Sequence, residues 1–313
     1  MFLGKVIIMK KLLKIGSALI LTLALGISAA ACGSSDASKD SAASATSGQS
    51  SESTAGQSTA AASDSNSVKE IVFGVAPGPY GDMAKLAIQP ELEKKGYTVK
   101  LVEFSDYVQP NLALANGEVN VNMFQHTVYL ENFAKEHKLE LSPVISIPTA
   151  SMGIFSKKYK TIEELPEGAV VTLPNDVPNL ARALRFLVQV NLITLKADID
   201  LTVASEKDIA DNPKKLKFTP AEAAQLPRTL DSADVAIING NFAIAAGLNL
   251  ADAVAKEKLE EPYKNIIAVR TADKEAQFVK DIEEIVRSEA FRTVILDSKN
   301  IFKAFDFPEW FAK

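Results

Sequence analysis

The sequence predicts an α/β fold with largely parallel sheets, set behind a secretion leader and a flexible tether. Three observations carry this reading. From residue 69 onward, short runs rich in Val, Ile and Phe alternate with helix-patterned stretches, the order that βαβ units produce. The first 31 residues combine a basic start, an apolar core and a small-residue end. Residues 33–68 contain no aromatic residue and, before Val68, no large aliphatic one.

The leader comes first in the chain. Lys5, Lys10, Lys11 and Lys14 precede an uncharged run from Ile15 to Ala31, which closes on Ala29-Ala30-Ala31. That arrangement defines a secretory signal peptide over residues 1–31. The run is short for a spanning helix, which needs about 20 apolar residues. Met9-Lys10-Lys11 has the look of a second possible start. Cys32, the only cysteine of the chain, follows at once. We read it as a lipidation site, with several acyl chains giving stable anchoring where one is marginal. Ordinary cleavage after Ala31 is the alternative, and Ala29 departs from the large aliphatic residue usual in a lipobox. Residues 32–68 then form a Ser/Ala-rich tether that cannot bury enough apolar area to offset its ordering entropy.

The body, residues 69–313, is read element by element. Glu70–Val75 is a strand, and residues 76–81 are a Pro/Gly loop. Asp82–Lys95 is helical, kinked or broken near Pro90 and stopped by Gly96. Tyr97–Glu103 alternates as a strand. A short helix around Asn111–Ala115 precedes a strand at Val119 and Val121 and a helix from His126 to His137. Pro143–Pro148 and Met152–Ser156 are extended, and Thr161–Leu165 is a short helix. Ala169–Leu173 is a strand feeding a helix from Asn179 to Val190. Lys215–Phe218, Val235–Ile238 and Asn265–Arg270 are strands, and helices over Asp273–Val286 and Ser288–Leu296 close the chain.

Composition excludes several functions. A net charge of −5 opposes a nucleic-acid partner, because phosphate binding needs a basic surface. One cysteine rules out an intrachain disulfide and a Cys-based zinc site. With only His126 and His137, a multi-histidine metal site is not expected, and no cofactor is implied. The hydrolase, P-loop and zincin signatures are missing. Acid pairs such as Glu163-Glu164 and Glu283-Glu284 read as solvated helix faces. The chain is therefore not expected to be an enzyme, a surface hydrolase being the rival from that class.

Three segments carry chemistry instead: Phe104-Ser-Asp-Tyr-Val-Gln-Pro-Asn111, Asn122-Met-Phe-Gln-His-Thr-Val-Tyr-Leu130 and Leu173-Pro-Asn-Asp-Val-Pro-Asn-Leu-Ala-Arg182. Phe124, His126 and Tyr129 cluster where a strand enters a helix, at the end of a parallel strand where α/β folds bind ligands. From pattern alone a core role for Phe124 and Tyr129 is equally open. Asp176 can cap the next helix. Asn179 and Arg182 lie on its first turn, where the helix N-terminus and a guanidinium fork suit a carboxylate. A surface ion pair is the plainer role for Arg182. Asn239 follows a strand and precedes Gly240, which also fits a simple turn.

At these residues the sequence resembles the NlpA/MetQ-type methionine-binding lipoproteins, the substrate-binding proteins of ABC importers. The matching stretches are Asp106-Tyr-Val-Gln-Pro-Asn111, Phe124-Gln-His126 with Tyr129, and Pro174-Asn-Asp176 with Asn179-Leu-Ala-Arg182. Gln225-Leu-Pro-Arg228, Ile238-Asn-Gly-Asn-Phe-Ala243 and Pro308-Glu-Trp310 match as well. The resemblance implies a two-lobed periplasmic-binding-protein fold (type II) with mixed, mostly parallel sheets and the ligand in the inter-lobe cleft. One lobe would take residues 69–149 plus about 264–313, the other 150 to about 263. Tyr107, Phe124, His126 and Tyr129 would surround the methionine side chain. Asn179, Arg182 and Asn239 would hold its head group. Val177-Pro178 departs from the family, which more often has Pro followed by Thr or Ser, and this bears on the ligand held. The implied partners are L-methionine or a close relative, an ABC permease with its ATPase, and the membrane through the lipid anchor; D-methionine, a methionine-containing dipeptide or another apolar amino acid are the alternative ligands. The protein would be a monomer on the extracytoplasmic face of the cell membrane.

Overall fold

The computed structural model describes residues 68–312. The leader, Cys32 and all of the tether before Val68 lie outside the described residues. Strand β1 (Glu70–Val75) runs into α1 (Pro79–Met83), whose first turn is pre-set by Pro79. The helix therefore starts three residues before the sequence suggests. It does not break at Pro90. A π turn over Ala84–Ile88 joins α1 to α2 (Gln89–Lys94) and widens the backbone just ahead of the proline that lacks an N–H. β2 (Thr98–Glu103) leads to α3 (Gln109–Asn116), which ends at Gly117 in the left-handed region, φ 78°. β3 (Val121–His126), α4 (Thr127–His137) and β4 (Leu141–Ser146) follow.

After β5 (Gly153–Phe155), the expected helix at Thr161–Leu165 is only a turn. Glu164 accepts the Lys160 N–H at 2.7 Å, and Pro166 stops a segment too short to repay helix nucleation. β6 (Val170–Pro174) precedes α5 (Val177–Gln189). Leu180, Ala183, Leu184 and Leu187 fall on one buried face of α5, the spacing of a helix laid on a sheet. A small hairpin pairs β7 (Thr194–Leu195) with β8 (Ile209–Asp211). β9 (Lys217–Ala221), α6 (Leu226–Thr229), β10 (Val235–Ile238), α7 (Gly240–Ala245) and β11 (Ala255–Lys256) complete the middle of the chain. β12 (Asn265–Arg270) is followed by α8 (Gln277–Val286) and α9 (Glu289–Leu296). α8 starts four residues later than expected, because a 3-10 turn occupies Thr271–Asp273.

Two five-stranded sheets organise these elements, in the orders β2-β1-β3-β12-β4 and β11-β5-β10-β6-β9. Pairing is parallel across β2-β1-β3 and across β10-β6-β9. It is antiparallel where β12 meets β3 and β4, and where β5 meets β10 and β11. The sheets are thus mixed but mostly parallel, as expected: four of the five strands in each run the same way, and only β12 and β5, which enter straight from the connections between the sheets, run against them. Pro220 lies in β9, an edge strand where a missing ladder donor is tolerated.

Each sheet has its own core. Phe73, Met123, Ile267, Ile282 and Phe291 belong to one; Val171, Leu184, Phe186, Val235 and Ile237 to the other. Burying each such side chain contributes about 1.5–3 kcal/mol. The two connections run side by side. Ile147 N–H donates to Asn265 O at 2.8 Å, and Glu257 N–H to Met152 O at 3.0 Å. The C-terminal segment seals this region: Thr149 and Asp306 exchange backbone hydrogen bonds, and the Trp310 indole N–H reaches Ser146 O at 3.0 Å.

Candidate functional site

The parallel strands β1, β3, β6 and β10 end at the same place, and β12 begins there. A narrow cavity of about 20 Å³ lies between these ends, lined by Tyr80, Tyr107, Phe124, Gln125, His126, Tyr129, Ala150, Asn179, Arg182, Asn239, Gly240, Asn241 and Asn265. All seven ligand residues expected from the sequence are among them. Sequence reasoning did not name Tyr80, Gln125, Ala150, Gly240, Asn241 or Asn265 as ligand residues.

The aromatic side of the cavity is built from two motifs locked together. Asp106 Oδ1 accepts the N–H groups of Val108 and Gln109 at 2.8 and 2.9 Å, which starts α3 and presents Tyr107. Asn111 on α3 is wholly buried and bonds Gln125 and Asn122 of β3. Asn111 Nδ2–H donates to Gln125 Oε1 at 2.7 Å, and Asn111 Oδ1 accepts from Gln125 at 2.6 Å and from Asn122 at 2.8 Å. A satisfied amide cluster of this kind is costly to break, so it fixes Phe124 and His126 on either side of Gln125. Phe124 and Tyr107 have ring centroids 5.7 Å apart, and Tyr129 stands edge-on to both at 6.1 and 5.9 Å. Tyr129 O–H donates to Tyr107 O at 3.1 Å. Burial pushes the Tyr107 and Tyr129 phenols well above their ordinary range, so both remain neutral donors.

The polar side hangs from α5. Asp176 caps the helix, accepting the Asn179 N–H at 3.0 Å and its Nδ2–H at 2.9 Å. Burial raises the Asp176 carboxyl pKa against those bonds. Asn179 Oδ1 then accepts from Asn239 Nδ2 at 2.9 Å and faces His126 Nε2 at 3.3 Å. His126 Nδ1 accepts the Tyr129 N–H at 3.1 Å, which puts the ring proton on Nε2 for donation to Asn179. Burial, helped by the Arg182 charge, holds the His126 pKa well below its ordinary value. The ring is neutral. The relay leaves one atom over: Asn239 Oδ1 is buried with no hydrogen-bond partner. A buried acceptor without a donor costs about 1–3 kcal/mol unless something supplies one.

Arg182 is 4% exposed and paired with Glu257. Its Nε–H and Nη2–H donate to the two carboxylate oxygens at 2.8 and 2.6 Å. Burial works against the cation, yet Glu257 outweighs it and the guanidinium stays charged. The surface ion pair that sequence alone suggested for Arg182 is a buried one. Asn241 binds across the cavity, accepting Tyr107 O–H at 2.6 Å and donating to Pro77 O at 3.0 Å. Asn265 Nδ2–H donates to Phe124 O at 2.9 Å. Gly240 is required by space: an added Cβ would lie 2.5 Å from Ala150 O and from Ser151 O. In sum the cavity offers an aromatic wall, one guanidinium, and an amide oxygen in want of a donor. That chemistry suits a small molecule with an apolar, polarizable tail and a head carrying both a carboxylate and an N–H donor.

Comparison with known proteins agrees with this chemistry. The family model described as NlpA lipoprotein matches residues 71–310. The D-methionine-binding lipoprotein MetQ of Salmonella typhi is 39% identical over 229 residues, covering 72% of this chain and 84% of its own. A nutrient binding protein from Burkholderia cenocepacia, solved bound to methionine, superposes with a TM-score of 0.71 at 39% identity, covering 76% of this chain and 100% of that one. The crystal structure of the methionine binding protein MetQ gives a TM-score of 0.69 at 36% identity, with 74% and 95% covered.

Proposed function

Because the chain belongs to the NlpA lipoprotein family, we propose that it is the substrate-binding protein of an ABC importer and that its ligand is L-methionine. The observation that carries the ligand is the cavity between the sheets. Arg182 and the orphan Asn239 Oδ1 stand on one side, and Tyr107, Phe124 and Tyr129 on the other. The ligand carboxylate pairs with Arg182, and its ammonium supplies the donor that Asn239 Oδ1 lacks. The thioether lies against the rings, where each sulfur–aromatic contact is worth about 0.3–1.5 kcal/mol. His126 and Asn179 hold the amide orientations. The two sheets belong to two lobes, and ligand contacts made by both favour their closed arrangement. The closed form delivers the ligand to a permease driven by an ATPase, and no chemistry is done on it.

Titration calorimetry of Arg182→Ala with L-methionine tests the site: the heat of binding disappears while the far-UV spectrum stays unchanged. An unaltered affinity refutes the assignment. D-methionine is the second reading, favoured by the name of the Salmonella relative; titrating each enantiomer separately ranks the two. The membrane attachment is tested at Cys32. Cys32→Ser moves the protein from the membrane fraction to the soluble one, and retention in the membrane counts against lipid anchoring.

A further inference from the structure

Arg182 lines the cavity, but Glu257 behind it does not. The carboxylate holds the Nε and Nη2 edge of the guanidinium, and its Oε2 also accepts the Met152 N–H at 3.1 Å. Both side chains are 5% exposed. Among the described residues Arg182 makes these two hydrogen bonds, through Nε and Nη2, which leaves Nη1 for a ligand. The cation that a ligand meets is therefore already neutralised from behind. His126, the other titratable base on the cavity wall, is neutral because burial excludes its proton. Asp176, which faces the same polar wall through Asn179, adds a second acid group.

A ligand bringing only a carboxylate would leave an excess negative charge in this desolvated space, and Asn239 Oδ1 would stay unpaired. A ligand bringing a carboxylate and an ammonium leaves the charge balance unchanged and fills that acceptor. The geometry points to Glu257 as a positioning and specificity-determining residue: by fixing and neutralising Arg182 it makes the cavity select zwitterions over simple carboxylates. This rests on the proposed amino-acid reading of the cavity. It adds what that reading leaves open, namely how a cavity centred on an arginine would discriminate against organic anions.

The test is calorimetry with two probes, L-methionine and 4-(methylthio)butanoate, which keeps the carboxylate and thioether but lacks the ammonium. The unmodified protein prefers L-methionine by about 100-fold or more. In Glu257→Gln that preference shrinks by about tenfold, because the anion gains from the lost negative charge. Glu257→Asp keeps the charge and keeps the preference within about threefold of the unmodified protein. If Glu257→Gln is recovered unfolded, Glu257→Asp decides alone, and a changed preference in it overturns the role of Glu257. Parallel weakening of both probes in Glu257→Gln, the mark of a merely structural strut, overturns it too. An unmodified protein that binds no L-methionine instead sinks the amino-acid reading itself.

Discussion

The Arg182–Glu257 pair makes a sharp energetic prediction for the ligand-free protein. Both side chains are 5% exposed, with contacts of 2.6 and 2.8 Å. Removing either partner strands the other charge in a space that water does not reach. Glu257→Met and Arg182→Met should each destabilise the fold by about 3–5 kcal/mol. The double variant removes both charges, keeps side-chain volume, and should lie between no loss and a gain of about 1–4 kcal/mol. The coupling energy between the positions should thus exceed about 6 kcal/mol. Urea unfolding at constant m-value measures all four proteins, and each single variant should melt about 6–20 °C lower than the parent. Arg182→Met and the double variant should both fail to bind L-methionine, although only the single variant is unstable. Two single losses of under about 1 kcal/mol that simply add would refute the reasoning, because the pair would then behave as a solvated one.

Gly240→Ala places a Cβ 2.5 Å from two backbone oxygens of the connection between the sheets. Neither oxygen can move without shifting that connection, so thermal unfolding should show a loss of about 1–3 kcal/mol; an unchanged melting temperature would mean the connection yields freely. His126 sets a pH dependence. Its native pKa lies well below its ordinary 6.5, so on acidification the unfolded chain takes up a proton that the native ring refuses. Its contribution is complete above pH 6.5 and is lost as pH falls below it, at about 1.4 kcal/mol per pH unit. His126→Gln should flatten that slope in urea-unfolding curves between pH 6.5 and 5, and identical slopes would contradict the buried neutral ring.

The sequence carried the site further than it carried its support. Pattern alone left core, ion-pair or turn roles open for Phe124, Tyr129, Arg182 and Asn239; the family resemblance singled out Tyr107, Phe124, His126, Tyr129, Asn179, Arg182 and Asn239, and all seven line the one cavity. Glu257 was not. It lies in Ala255-Lys-Glu-Lys-Leu-Glu-Glu261, a charge-rich stretch that reads as solvated surface, and only the fold brings it behind Arg182, 75 residues away. Asn265 opens an apolar strand and looks like its polar end. The amide cluster of Asn111, Asn122 and Gln125 joins residues 11–14 positions apart, but nothing local marks them as buried. Element errors have local causes. A π turn absorbs Pro90, and a side-chain cap imitates a helix at Thr161–Leu165. The strand alternation did predict the α/β class. It could not predict which strands run antiparallel, because that depends on where the chain changes sheet.

The place of β12 has a consequence for the order of assembly. It inserts between β3 and β4, so β3 is paired on its β1 side only and β4 has no partner until the chain has been synthesised past residue 270. Asn265 and Phe124, joined through a single hydrogen bond, are 141 residues apart. A nascent chain lacking β12 therefore exposes two unpaired edges and a split core, and closing so long a loop delays folding. The first sheet waits for the last quarter of the chain. With the leader expected from the sequence, such a topology would keep the body threadable until nearly all of it has been made.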